Sequence, residues 1–245
     1  MRIAVVADIH GNLGALEAVA DDIRNAAPDL VLNLGDCLSG PLDAAGTADR
    51  LMDLGWVTIR GNHDRQVLQT VESMGASDRA AAAQINELHR AWLRTLPPVL
   101  AADPDLYLCH GTPASDVTYL TEHVLRDGAV LPAREMQMAA AIADTPGRVL
   151  LCGHTHIARL FRLRSGRIIA NPGSVGCPAY QDSEPCPHVM EAGSPHARYM
   201  IMDQTEAGWR FDFRAVVYDW DRAAALARSR GREDWACALA TGFVT

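Results

Sequence analysis

Short apolar runs and longer amphipathic stretches take turns along the opening of the chain. Ile3-Ala4-Val5-Val6-Ala7, Val31-Leu32-Asn33-Leu34 and Trp56-Val57-Thr58-Ile59 have the length and composition of strands. Between them, Leu13 to Ala26 and Asp43 to Leu54 read as helices, the second burying Ala44, Ala48, Leu51 and Met52 on one face. The expected unit is β-α-β-α-β, with right-handed crossovers and parallel strands.

Further along, Ser77 to Thr95 is helical in composition and stops before Pro97-Pro98. Val99 to Ala102 and Leu106 to Cys109 flank Asp103-Pro104-Asp105 as strand, turn and strand, and Tyr119 and His123 fall near an expected helix start. An alanine-rich helix follows over Ala133 to Ala143, then strands over Arg148 to Cys152, Ile157 to Arg164 and Arg167 to Ala170. Asn171-Pro172-Gly173-Ser174 is a turn, and residues 177–196, rich in Pro, Ser, Glu and Gly, read as a mobile loop. Alternation returns in Tyr199 to Met202 and Trp209 to Arg214, and helices close the chain at Asp221 to Arg230 and Glu233 to Leu239. The expectation is one domain over residues 1–245, with 218–245 a C-terminal helical extension.

Composition narrows the function classes. With 245 residues, 49% of them hydrophobic, a core forms without staples. The net charge of −8 weighs against a nucleic-acid-coating protein. Every basic residue is arginine, which excludes lysine Schiff-base chemistry. Six cysteines without C-x-x-C spacing read as reduced thiols. The chain enters a strand at once, and Asp8 interrupts its apolar run too early for a signal peptide or membrane span. A cytoplasmic protein is expected, and nothing here bears against a homo-oligomer.

The chemistry gathers where strands end. The first three end in Asp8-Ile9-His10-Gly11-Asn12, in Asp36 and in Gly61-Asn62-His63-Asp64; two later ones end in His110-Gly111-Thr112-Pro113 and Gly153-His154-Thr155-His156. Parallel strands lie about 4.8 Å apart, so three adjacent ends span roughly 10 Å, room for two ions about 3.5–4 Å apart. If the second strand is central, Asp36 reaches both. A mixed Asp-x-His pair suits Mn, Fe, Zn or Ni rather than Ca. Asn12 is placed to cap the first helix, where a phosphate contact is also compatible. His89 reads as structural, Arg60 as a surface ion-pair partner, and Cys177, Cys186, His188 and His196 match no zinc spacing.

Asp8-x-His10, Gly35-Asp36, Gly61-Asn62-His63-Asp64, His110 and Gly153-His154-x-His156 resemble, in order, the signature of the calcineurin-like metallophosphoesterases. The flanking Gly11-Asn12, Gly111-Thr112-Pro113 and Asn171 to Ser174 details are most similar to the compact bacterial and archaeal phosphodiesterase branch, although the 177–196 loop is longer. The resemblance implies an α/β fold, a β-sandwich of mixed sheets flanked by helices in four αββα layers. It implies two divalent ions, manganese first, with iron, nickel or zinc as alternatives. One would take Asp8, His10, Asp36 and His156, the other Asp36, Asn62, His110 and His154. The implied reaction is in-line attack on a small phosphodiester or nucleotide by a metal-bridging hydroxide, with His63 as acid and Asp64 orienting its ring. Asn12, Asn62, Arg65 and Tyr119 are the expected substrate contacts. A phosphomonoesterase or protein phosphatase and a dinucleoside polyphosphate hydrolase are the alternatives within the enzyme class; a non-enzymatic scaffold and a DNA nuclease rank below them.

Overall fold

The computed structural model describes residues 1–244. In chain order the elements are β1 (Arg2–Val6), α1 (Leu13–Ala26), β2 (Leu30–Asn33), α2 (Ala44–Leu54), β3 (Val57–Thr58), α3 (Asn62–Gln66), α4 (Ala76–Ala82), α5 (Glu87–Thr95), β4 (Val99–Asp103) and β5 (Leu106–Cys109). They continue with β6 (Glu122–Val124), β7 (Val130–Pro132), α6 (Glu135–Ala141), β8 (Val149–Leu151), β9 (Arg159–Arg162), β10 (Ile168–Asn171), β11 (Ala179–Asp182) and β12 (His188–Glu191). The last are β13 (Ala197–Thr205), β14 (Gly208–Val216), α7 (Trp220–Ser229) and α8 (Glu233–Thr241).

Two five-stranded mixed sheets carry the architecture, ordered β14-β13-β1-β2-β3 and β4-β5-β8-β10-β9. In the first, β2 lies between β1 and β3 and is parallel to both, with Val5 opposite Leu32 and Leu32 opposite Val57. In the second, β5, β8 and β10 are parallel. Strand alternation divides the side chains between layers. Ile3 and Val5, with Leu32 and Leu34, meet Leu106, Leu108, Val149 and Leu151 between the sheets. Ala4 and Val6 turn the other way, onto Leu16, Val19 and Ile23 of α1 and Ala48 and Leu51 of α2. On the far face of the second sheet, Leu150, Cys152 and Ile169 pack under Met138 and Ile142. The result is helix, sheet, sheet, helix, as expected.

Several segments depart from the expected pattern. The single helix expected over 77–95 is two, α4 and α5, because Asn86 caps a new start by accepting from the His89 N–H at 3.0 Å. Where a helix was expected near Tyr119 and His123 there is a hairpin, β6–β7. The expected loop at 177–196 is instead the hairpin β11–β12; its alternation was hidden because polar His188 takes an inward position beside Met190. The C-terminal helices form as expected within 218–244, Thr245 lying outside the described residues, and Ala224, Ala227, Ala236 and Leu239 close over Leu42. Among the described residues, no helix is long and apolar enough to cross a membrane.

Candidate metal centre

Asp8 and His10 follow β1, Asp36 follows β2, Asn62 and His63 open α3 beyond β3, His110 follows β5, and His154 and His156 follow β8. The two sheets thus bring five strand ends to one place. The chain bends sharply there. Asp8, His10, Asp36, His154 and His156 have φ of 57°, 52°, 56°, 69° and 60°, in the left-handed region that L-residues avoid. Among the described residues the only other non-glycine with positive φ is Ala27, at the end of α1. Each such residue costs ~1–3 kcal/mol and persists only where its surroundings impose it. At Gly61 the approach is close enough to require glycine: a Cβ would lie 2.1 Å from Asp36 Oδ1.

The donors form two sets, Asp8 with His10 and His156, and Asp36 with His110 and His154, the ligand atoms of each within 4.8 Å of one another. Asp36 also sits 4.0 Å from His10 Nε2 and 3.1 Å from His110 Nε2, so it faces both sets. Hydrogen bonding fixes the tautomers. His10 Nδ1 donates to the Ser39 carbonyl at 2.8 Å, His110 Nδ1 to that of Leu34 at 2.8 Å, and His156 Nδ1 to that of Cys177 at 2.6 Å. A carbonyl can only accept, so in the neutral rings every Nε2 presents a lone pair inward. His10 and His156 then aim two lone pairs at each other across 3.1 Å. His154 Nε2 and Asn62 Oδ1 are buried without a hydrogen-bond partner, and His110 Nε2 meets only the Asp36 carboxylate. Orphaned acceptors of this kind are costly, and a cation satisfies them. The donor set therefore fits divalent metal ions.

In the metal-free protein, burial lowers His10 to about 4 and His154 to about 3, keeping both imidazoles neutral as metal ligands must be. Burial also pulls Asp36 toward neutrality, but the His110 and His63 charges outweigh it and hold the carboxylate well below its ordinary value.

His63 belongs to neither set. Its ring lies 5.5 Å from that of His10, and its side chain is 32% exposed. The expected Asp64 contact does not form. Successive helical residues point apart, and Asp64, fully buried, accepts from the backbone N–H groups of Asp36, Cys37 and Gly61 at 2.8–3.0 Å. It clamps the Asp36 turn onto the start of α3. The carboxylate on the His63 ring is Asp78 of α4, with Oδ1 2.8 Å from Nδ1 and only 3% of the residue exposed. Burial opposes the charge on His63, yet the Asp36 charge and the Asp78 hydrogen bond raise it to about 9. No spacing in the sequence links Asp78 to His63.

Three expected substrate contacts lie elsewhere. Asn12 caps α1 through Oδ1 and donates Nδ2 to the Gly176 carbonyl and the Tyr218 hydroxyl, so its amide is fully used. Arg65 is held by Asp116 through two 2.8 Å hydrogen bonds. The Tyr119 hydroxyl meets Asp182 and His188, and its ring supports His154 at 4.9 Å. Asn62 is the one expected substrate contact that lines the open slot above the donors. This slot, of about 670 Å³, is lined in part by β11 and the turn after it and by α8.

Residues 1–193 match the calcineurin-like phosphoesterase superfamily domain. The chain belongs to that superfamily, whose members bind divalent metals and act on phosphorylated substrates, and it is a metal-dependent phosphoesterase. It is similar to an uncharacterized protein of Methanocaldococcus jannaschii, 25% identical over 238 residues that span 90% of this chain and 89% of that protein. The crystal structure of a metallophosphoesterase from Sphaerobacter thermophilus has the same fold, with a TM-score of 0.76 and 24% identity over 99% of this chain and 100% of that one.

Proposed function

We propose that the protein is a dinuclear phosphodiesterase acting on a small phosphodiester, with manganese the first choice of ion and a reducing, cytoplasmic setting in keeping with its six free cysteines. The observation that carries this reading is the pair of donor sets facing one shared carboxylate, with imidazole lone pairs aimed inward and unmatched. Asp8, His10, Asp36 and His156 would hold one ion, and Asp36, Asn62, His110 and His154 the other. Two bound divalent ions supply positive charge for a phosphate group and acidify a water for attack on phosphorus.

The remaining chemistry falls to the protein. His63, cationic at neutral pH in the metal-free protein, stands at the edge of the donor sets with Nδ1 held by Asp78, leaving Nε2 to give its proton to the departing alcohol oxygen. Asp64 fixes the turn that presents Asp36, and the buried inter-sheet layer fixes the strand ends. Asn62 aims a free carbonyl oxygen at the same space.

The test is to strip the protein of metal, reload it separately with Mn²⁺, Fe²⁺, Ni²⁺ or Zn²⁺, and assay bis-p-nitrophenyl phosphate and p-nitrophenyl phosphate. Metal-restored cleavage of the diester over the monoester is expected. Preference for the monoester would replace this reading with a phosphomonoesterase.

A further inference from the structure

Part of the slot's lining comes from a stretch of the chain beyond the matched family domain. That domain ends at residue 193, whereas Arg232, Asp234 and Trp235, which line the slot, belong to the start of α8 and the residue before it. Trp235 is built into the site. Its ring lies 5.9 Å from that of His10, nearly perpendicular at 69°. The loop beyond Asp36 makes room for it at Gly40, whose φ is +155° and where a Cβ would come within 3.0 Å of the indole. Arg232 braces the ring from 5.8 Å, itself locked by Asp234 and the Ser77 hydroxyl. The neighbouring sheet is tied to the same stretch, since Gly193 donates to the Gly242 carbonyl and the Val244 N–H to Glu191.

Charge sets what such a slot accepts. Its rim carries Asp182, Glu184 and Asp234, and its one arginine is already paired with the last of these. Apart from bound metal and His63, whose ring is held by Asp78, a polyphosphate chain or a nucleic acid backbone finds no cation there among the described residues that is not already paired. A planar, neutral group with N–H donors finds an indole lining the slot and the Glu184 carboxylate on its rim to accept its hydrogen bonds. Given the phosphodiesterase reading, on which this rests, we infer that Trp235 and the acidic rim select a singly charged phosphodiester carrying a nucleobase and reject polyphosphates. In the reaction, water adds its oxygen to phosphorus and releases one proton to solvent, one ester P–O bond breaks, and the departing sugar oxygen takes a proton from His63, which solvent then restores.

The metal-loaded full chain is given 2′,3′-cyclic AMP and glycerol 1,2-cyclic phosphate, which share the strained five-membered diester and differ in the nucleoside. The expected kcat/KM is roughly tenfold higher for the nucleotide, the scale of one base stacked on one aromatic ring. Trp235→Ala brings the ratio near one by raising KM for the nucleotide, and Trp235→Phe preserves most of it. Adenosine quenches the tryptophan emission of the wild type more than that of Trp235→Phe. A ratio near one in the wild type, a ratio that survives Trp235→Ala, or faster turnover of diadenosine tetraphosphate than of the cyclic nucleotide overturns the inference. Turnover of neither cyclic diester, with both metals bound, overturns the phosphodiesterase reading beneath it.

Discussion

At the scale of single residues, the donors that gather at the strand ends were legible in the sequence and their support was not. Asp8, Asp36, His110 and His154 each follow an apolar run closely, and that placement alone announces a donor at a strand end. The left-handed backbone at Asp8, His10, Asp36, His154 and His156 makes the same point structurally, since such strain persists only where tertiary contacts demand it. Asp78 gave no such signal: it is an ordinary acidic residue in the first turn of α4, brought to His63 by tertiary packing. His63→Ala is expected to retain both metals, measured by mass spectrometry of the native protein, and to lose about 10²- to 10⁴-fold in kcat. Asp78→Asn tests the positioning role. Against burial, the Asp78 hydrogen bond and charge raise His63, and its acid form is lost as pH rises through its pKa. Removing the Asp78 charge lowers the pKa, and the basic limb of the kcat profile is expected to move to lower pH with metal content unchanged. An unshifted limb would sink the assignment.

At the scale of elements, strands buried on both faces were the easiest to read and mixed surface segments the hardest. β1, β2 and β8 are short apolar runs because each lies between a helical layer and the other sheet, and their periodicity survives in the sequence. The β11–β12 hairpin did not survive in that form. Its inward positions are Ala179, His188 and Met190, and its turn is Pro- and Ser-rich, so the alternation looked like loop composition. Likewise α4 and α5 read as one helix because the break at Asn86 is made by a side-chain cap, which composition does not reveal. The strand that delivers Asp36 depends on its packing. Leu32 is fully buried between the sheets, and Leu32→Ala is expected to cost ~2–5 kcal/mol in urea unfolding. A cost below ~1 kcal/mol would mean that β2 is not held by this layer.

At the scale of the whole molecule, the metal centre is the seam between two sheets: the first supplies Asp8, His10, Asp36 and Asn62, the second His110, His154 and His156. Ions held there would join the halves, and without them the site's charges are controlled by pH. In the metal-free protein three groups of this site keep protons that the unfolded chain releases, while the buried thiols of Cys37, Cys109, Cys152 and Cys177, raised by burial, add a slope common to the stripped and reloaded protein. Burial raises Asp8, while the Asp36 charge, outweighing burial, raises His63 to about 9 and His110 to about 10. Above about pH 6.5 unfolded histidines and carboxylates are deprotonated. Between there and about pH 9 the folded state therefore holds the extra protons, and stability falls as pH rises. His10, His154 and His156 have lowered values and are neutral in both states over this window, so they add no slope. Metal held as proposed would displace the protons from Asp8 and His110 and leave His63 the one of the three still to titrate. Calorimetry at pH 6.5 and pH 9 should accordingly show Tm of the stripped protein falling more steeply than that of the reloaded one, with the gain from metal largest at the higher pH. Parallel lines would place the ions away from Asp8 and His110.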